Sequence, residues 1–118
     1  MSRRTDRVSQ QVRVELARIL REDSTDPRLR LVTLTRVRVS PDLGNAQVSW
    51  SSLSGDEEEA VARVDEALAS ASGFLRHRLA EALPLRRVPA LHFRHDPSMA
   101  LGAQTLEALR RVSHDASE

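Results

Sequence analysis

Two short segments of alternating apolar and polar residues, separated by a turn, constrain the fold of this chain more than any other feature. Residues 31–39 are rich in valine and threonine, and residues 46–51 place Ala46, Val48 and Trp50 on one side of an extended backbone. Residues 40–45 between them read Ser-Pro-Asp-Leu-Gly-Asn, which is typical of a turn. The pattern predicts an antiparallel β-hairpin.

The alternation in the first of these segments changes partway along. Val37 and Val39 fall on one side, whereas Val32 and Leu34 fall on the opposite side, in step with the arginines at 36 and 38. Either the first half of this strand is covered on both faces, or the strand carries a bulge that restores its apolar residues to one face. The sequence leaves both alternatives open.

A helix is predicted before the hairpin, from about Asp6 to Glu22. Its apolar residues recur at helical spacing on one face: Val8, Val12, Leu16, Ile19 and Leu20. Asp26-Pro27 prevents this helix from continuing beyond Thr25, because a proline disfavours helical geometry at the residue before it.

Two helices, a third strand and a last helix are predicted after the hairpin. One helix begins at Gly55-Asp56, and another runs from Phe74 to the stop at Pro84. Ala71-Ser72-Gly73 lies between them, and glycine within a helical pattern indicates a kink or a close backbone approach. Residues 88–95 are predicted as a strand, and residues 98–112 as the last helix, with a frayed tail at 113–118.

This element order predicts a single α+β domain over residues 5–112. We expect a three-stranded sheet with helices packed on one face, plus the C-terminal helix, since two layers are the economical way to bury one core. Residues 1–4 are predicted to form a basic N-terminal arm. With 118 residues, the chain is long enough for one modest core and too short for two full domains.

Composition favours a soluble cytoplasmic protein that binds a polyanion. The chain has no cysteine, its N-terminus lacks the apolar stretch of a signal peptide, and no run approaches the length of a membrane span. All 18 basic residues are arginine. Residues 1–38 carry ten arginines against five acidic residues, residues 39–73 carry one against seven, and residues 74–97 carry five against two. Two separated basic segments with an acidic segment between them suit an oriented polyanion binder.

Ten blocks of residues stand in a characteristic order and spacing along the chain. They are Arg7-Val8, Asp26-Pro27-Arg28, Val32-Thr33-Leu34-Thr35, Val37-Arg38-Val39-Ser40, Asp42-Leu43, Ala46-Gln47-Val48, residues 71–76 (Ala-Ser-Gly-Phe-Leu-Arg), Leu85-Arg86, residues 89–93 (Pro-Ala-Leu-His-Phe) and Asp96. Together these blocks resemble the ribosome-binding factor A family of small-subunit assembly factors, and the resemblance covers about residues 5–110.

The resemblance implies a fold similar to a type II KH domain, of order α-β-β-α-kink-α-β. KH domains usually hold a nucleic-acid backbone with a GXXG loop. This chain has no GXXG and instead carries Ala71-Ser72-Gly73, the helix-kink motif of the family. At such a kink, free backbone amides and the start of the helix at Phe74 could face a phosphate.

The resemblance also implies partners and a role. The partners are the free 30S small ribosomal subunit and its 16S rRNA, bound late in maturation. The role is support of rRNA processing and of growth in the cold, followed by release with help from an assembly GTPase. We expect a monomer that needs no cofactor or metal and acts by binding energy alone.

The candidate RNA-binding residues are arginines on three segments, together with the kink: Arg3, Arg4, Arg7, Ser72, Gly73, Arg76, Arg78, Arg86 and Arg87. Arg76 is favoured over Arg78, since residues two apart diverge by roughly 200° on a helix. Arg36 and Arg38 are interpreted as a solvated sheet face. Because the aromatic residues Trp50, Phe74 and Phe93 all fall at core positions, we expect recognition of RNA shape and phosphates without base stacking.

Two other functions are kept as hypotheses. His92, His95 and Asp96 could serve a small hydrolase or nuclease, but residues three apart on a strand point to opposite faces, which argues against a shared site. Alternatively, the acidic helix after Gly55 or the edge of the hairpin could recruit a protein, which would make the chain an adaptor.

Overall fold

The computed structural model describes residues 3–97 and confirms the α+β class. In chain order its elements are α1 (Arg3–Arg18), a π-helical turn (Ile19–Asp23), α2 (Pro27–Arg30), β1 (Val32–Val39), β2 (Asn45–Ser52), α3 (Glu58–Ala82) and β3 (Ala90–His95). The three strands form one mixed sheet of order β1-β2-β3, in which β1 is antiparallel and β3 parallel to β2. The predicted helix 98–112 and tail 113–118 lie outside the described residues.

The core lies between one face of the sheet and the helices. Trp50 of β2 is 0% exposed, and Val12 and Leu16 of α1 meet it together with Leu68 and Leu75 of α3 in a single apolar cluster. This burial follows the predicted apolar stripes, because helical and strand periodicities each collect their apolar residues on one face. Among the described residues, no helix is both long enough and apolar enough to cross a membrane.

A β-bulge in β1 settles the alternative that the sequence left open. Leu34 pairs with Trp50 and Arg36 pairs with Ser49, so Thr35 is the additional residue between two consecutive partners on β2. The additional residue shifts the side-chain alternation by one position. Leu34 before the bulge and Val39 after it are therefore both buried on the helix-covered face.

The start of α1 lies within the segment that was predicted as a basic arm, residues 1–4. Arg3 and Arg4 form the first turn of α1, which begins three residues earlier than predicted. The Ser9 hydroxyl donates to the Thr5 carbonyl at 2.8 Å and accepts from the Val39 amide at 3.0 Å. Because Thr5 is also buried, the first turn of the helix is held against the end of β1.

The segment between α1 and β1 contains two elements that the sequence did not predict. In the π-helical turn, the Ser24 amide donates to the Ile19 carbonyl at 3.1 Å, a bond that spans five residues. Asp26 then caps α2 by accepting from the Arg28 amide at 3.0 Å, and Pro27 occupies the first turn. Proline is compatible with that position because the first amides of a helix have no partner within it.

A single continuous helix replaces the two predicted helices. α3 runs from Glu58 to Ala82 and passes through Ala71-Ser72-Gly73 without a break in its helical assignment. A Cβ atom built on Gly73 would meet no atom within 4 Å, so no close backbone approach requires glycine there. The apolar residues at 64, 68, 75 and 79 share one stripe across the motif, which explains why burial against the sheet continues through it.

Candidate nucleic-acid interface

Three of the predicted arginines meet at one end of the sheet. Arg4 of α1 and the loop residues Arg86 and Arg87 line a groove of about 500 Å³, together with Leu43 of the hairpin turn. Arg4 and the two loop arginines are more than 80 positions apart in the chain. The fold therefore brings together residues of the two basic segments, which are far apart in the sequence.

The hairpin turn forms the opposite wall of this groove and is held by Asp42. Its carboxylate accepts from the Ser40 hydroxyl at 2.6 Å and from the Gly44 amide at 2.9 Å. These two hydrogen bonds and the nearby charge of Arg87 lower the pKa of the Asp42 carboxyl below its ordinary value of 3.8. Asp42 is the acidic residue that lines this groove, and its carboxylate is hydrogen-bonded within the turn.

Arg76 is directed toward the same loop from α3. Its Nη2 donates to the carbonyl oxygen of Val88 at 3.1 Å, one residue beyond Arg87. β3 begins at Ala90, two residues later than predicted, because Pro89 has no amide hydrogen to donate to the sheet. Below, the name basic cluster refers to Arg4, Arg76, Arg86 and Arg87, all of which are exposed.

Arg78 lies on a different side of α3, as the helical angle between it and Arg76 predicts. Its guanidinium carbon lies 5.4 Å from the centroid of the Phe74 ring, and its Nη1 lies 3.9 Å from Glu81. It lines a groove that also contains the carboxylates of Asp23 and Asp26. These carboxylates disfavour phosphate at Arg78 and separate it from the basic cluster.

The remaining predicted residues flank the basic cluster. Arg3 and Arg7 are exposed one turn apart on α1, outside the groove that Arg4 lines. Ser72 precedes Arg76 by four residues, so the two share a face of α3. Amides inside a continuous helix donate to carbonyls four residues earlier, so the amides of the motif are not free in the way that the predicted kink required. Phe74 likewise lies inside α3, so no helix begins there whose N-terminus could face a phosphate. RNA contact at Ser72 and Gly73 stays a prediction.

The aromatic residues follow the prediction with one exception. Trp50 is fully buried, whereas Phe74 is 38% exposed, although both were assigned to the core. Leu75 takes the inward position on α3, and Phe74 is left at the margin of the buried stripe, beside Arg78. Phe74 and Leu75 both fit the apolar pattern of the helix, so periodicity alone did not show that only Leu75 is buried.

The histidines proposed for a hydrolase do not converge. His92 Nε2 lies 2.9 Å from Asn45 Oδ1 across the sheet, whereas His95 Nε2 lies 3.0 Å from Asp56 Oδ1. The His95 ring also packs edge-on against Trp50, with 4.8 Å between ring centroids. Asp96 accepts a hydrogen bond from the Thr35 hydroxyl at 2.9 Å. Each of the three side chains therefore has its own structural neighbour.

Sequence reasoning missed the outward-facing residues of β3. His92 and Arg94 are exposed, and they align with Gln47 and Ser49 of β2. The signal was available in the alternation of residues 90–95, which places Leu91 and Phe93 inward and the two basic residues outward.

Comparison with known proteins identifies the family. The family model described as ribosome-binding factor A matches residues 4–109. The ribosome-binding factor A of Pseudomonas fluorescens strain Pf-5 is 40% identical over 115 residues, covering 98% of this chain and 86% of the relative. That of Alkalilimnicola ehrlichii is 42% identical, covering 98% of this chain and 85% of the relative.

Solved structures agree with this family and with the fold. The crystal structure of ribosome-binding factor A from Thermus thermophilus is 32% identical with a TM-score of 0.65, covering 77% of this chain and 93% of that one. A homology model of Thermus thermophilus ribosome-binding factor A, fitted into a cryo-electron-microscopy map of its complex with the 30S subunit, is 31% identical with a TM-score of 0.62, at the same coverage. The chain belongs to the ribosome-binding factor A family.

Proposed function

We propose that this protein binds the free 30S ribosomal subunit and assists late maturation and processing of its 16S rRNA. The observation that carries the proposal is family membership across residues 4–109, in a family with a relative fitted into a map of a 30S complex. The basic cluster supplies the surface, because guanidinium groups bind phosphate oxygens through charge-assisted and often bidentate hydrogen bonds.

The mechanism is binding without catalysis. A protein that prefers one rRNA conformation shifts the RNA population toward it by its difference in affinity for the two conformations. The protein acts as a cytoplasmic monomer, supports ribosome assembly in the cold, and leaves the subunit with help from an assembly GTPase.

The test is co-sedimentation with purified small subunits, large subunits and assembled ribosomes over a salt series. Wild type is compared with Arg86→Gln/Arg87→Gln and with the control Arg21→Gln/Arg63→Gln, which removes the same charge from exposed positions outside the basic cluster. We expect salt-sensitive binding to the free small subunit, weakened in the loop variant and retained in the control. Removing two phosphate contacts should reduce the slope of log K against log salt by about 1.4 for single-stranded RNA.

Arg76→Gln tests the contribution of α3, with thermal unfolding measured alongside because Arg76 also holds the Val88 carbonyl. Binding that shows no preference for the small subunit would contradict the proposed function and favour a protein-binding adaptor.

A further inference from the structure

The outer face of the sheet, opposite the helices, carries a second group of arginines. β1 and β3 flank β2 in the sheet, and their outward side chains form rows across it. In one row, Arg36 and Arg94 lie on either side of Ser49, and in the next, Arg38 and His92 lie on either side of Gln47. Flanking strands are separated by about 10 Å, twice the spacing of neighbouring strands.

The guanidinium groups of this face are free to bind an anion. Within residues 3–97, no carboxylate lies within 4.0 Å of Arg36, Arg38 or Arg94. Acidic residues lie at its margins: Asp6 lines a groove at the β1 edge together with Arg36 and Arg38, and Asp96 follows β3 and accepts a hydrogen bond from Thr35. Among residues 3–97, the three arginines of this face therefore have no salt-bridge partner.

Polar, uncharged side chains occupy the strip between the arginines. Asn45, Gln47 and Ser49 of β2 run along the middle of the face, and the Asn45 amide oxygen is fixed by His92. Amide and hydroxyl groups bind phosphate and sugar oxygens of a nucleic-acid backbone without reading its sequence. The outward side chains of these strands include one aromatic ring, the imidazole of His92, which pairs with Asn45 across the sheet. With no phenylalanine, tyrosine or tryptophan on the face, contacts with the RNA backbone are favoured over base stacking.

The face is continuous with the basic cluster around the hairpin turn. A groove of about 460 Å³ is lined by Arg38, Asn45 and Gln47 of the outer face and by Thr5 of α1. Arg4, the residue before Thr5, lines the groove on the other side of the same turn. A strand of RNA held at the basic cluster can therefore pass the turn and continue along β2 on the outer face.

We propose that the outer sheet face, through Arg36, Arg38 and Arg94, is a second RNA-backbone-binding surface that extends the basic cluster around the hairpin turn. The proposal deepens the function proposed above and rests on it for the identity of the RNA. A protein partner is disfavoured because the face lacks the exposed apolar anchors that protein interfaces use.

The test uses the full chain with two triple variants of equal charge change. Arg36→Gln/Arg38→Gln/Arg94→Gln removes the outer-face charges, and Arg21→Gln/Arg30→Gln/Arg63→Gln removes three exposed arginines near the π-helical turn, α2 and the start of α3. Both are assayed against purified small subunits by co-sedimentation and against labelled single-stranded and duplex RNA by fluorescence anisotropy, each over a salt series. Circular dichroism and thermal unfolding verify that each variant is folded.

We expect the outer-face variant to reduce the salt slope by about 2 for single-stranded RNA, at about 0.7 per phosphate contact, and the control variant to match wild type. Equal slopes for the two variants would overturn the proposal and leave small-subunit binding intact. Loss of subunit binding with unchanged affinity for both RNAs would also overturn it, and would assign the face to a protein of the subunit. If wild type shows no preference for small subunits, the proposed function fails, while the anisotropy comparison still decides whether this face binds RNA.

Discussion

Gly73 lies inside α3 at a position where a side chain could be accommodated. Its neighbours in the helix are regular, and a Cβ atom there would meet no atom within 4 Å. Glycine in a helix interior costs about 1 kcal/mol relative to alanine, because it loses more backbone entropy on folding. Neither packing nor backbone conformation in this structure requires that cost, which makes the exposed surface at Gly73 a candidate for close contact with RNA.

Gly73→Ala is therefore expected to stabilise the protein by about 0.5–1 kcal/mol in urea unfolding. The control Ala69→Gly, at an exposed position of the same helix, should destabilise by a similar amount. Small-subunit binding of Gly73→Ala measured in parallel should fall if an RNA backbone approaches α3 there, since the added methyl group would occupy that space. Destabilisation by Gly73→Ala would contradict the regular helix described for this motif.

The backbone conformation of Leu43 could not be predicted from the residue types of the turn. The composition of residues 40–45 predicted the turn, and Asp42 and Gly44 are typical turn residues. The structure nevertheless gives the positive φ of 61° to Leu43. Leu43 is partly buried against the core, so packing of its side chain offsets a backbone conformation that would favour glycine or asparagine.

At the scale of elements, periodicity predicted the helices and strands that bury a full apolar stripe. α1, β2 and α3 were all assigned correctly in type, because each places several apolar residues on one face. The bulge at Thr35 was only one of two alternatives, since the partner strand decides between them. The predicted first helix reached Glu22 and so covered most of the π-helical turn, but the π geometry and the four-residue α2 were missed, because so few residues do not show a period.

The cap of α2 provides a prediction on pH. The Arg28 side chain, which donates to Asp26 at 2.6 Å, and the Arg28 backbone amide lower the pKa of the Asp26 carboxyl below 3.8. A carboxyl whose pKa is lower in the folded state stabilises the fold above its unfolded pKa, and this contribution is lost as the pH falls through the folded value. Stability from this cap should therefore decline below about pH 4.

Asp26→Asn keeps a capping side chain but removes the titrating charge. We expect its thermal midpoint to lie below that of wild type from pH 5 to 7, and the two midpoints to converge as the pH is lowered below the ordinary carboxyl value of 3.8. The effect should be modest because the pair is partly exposed to solvent. Asp65→Asn, at an exposed position of α3, serves as the control. A constant difference at all pH values would contradict the assigned role of Asp26.

At the scale of the whole molecule, charge could be predicted from the sequence but its arrangement could not. The basic segments 1–38 and 74–97 were identified by counting, yet the meeting of Arg4 with Arg86 and Arg87 depends on the sheet that brings their elements together. The acidic residues are concentrated elsewhere, at the beginning of α3 and in the loop before it. Although Arg28 and Arg63 line a groove beside these carboxylates, the acidic run lies away from the basic cluster and can help to orient the molecule in the field of a polyanion.

Neutralising part of the acidic region should therefore strengthen binding to large subunits more than binding to small subunits. In Asp65→Asn/Glu66→Gln, two exposed carboxylates of α3 lose their charge without altering the basic cluster. Binding to large subunits, for which the proposed function provides no specific site, is expected to rise roughly twofold at 50 mM salt, while binding to small subunits changes less. The ratio of the two affinities should return toward the wild-type value at 150 mM salt, because the Debye length falls to about 8 Å. A ratio unchanged at both salt concentrations would show that the acidic region does not orient the protein on RNA.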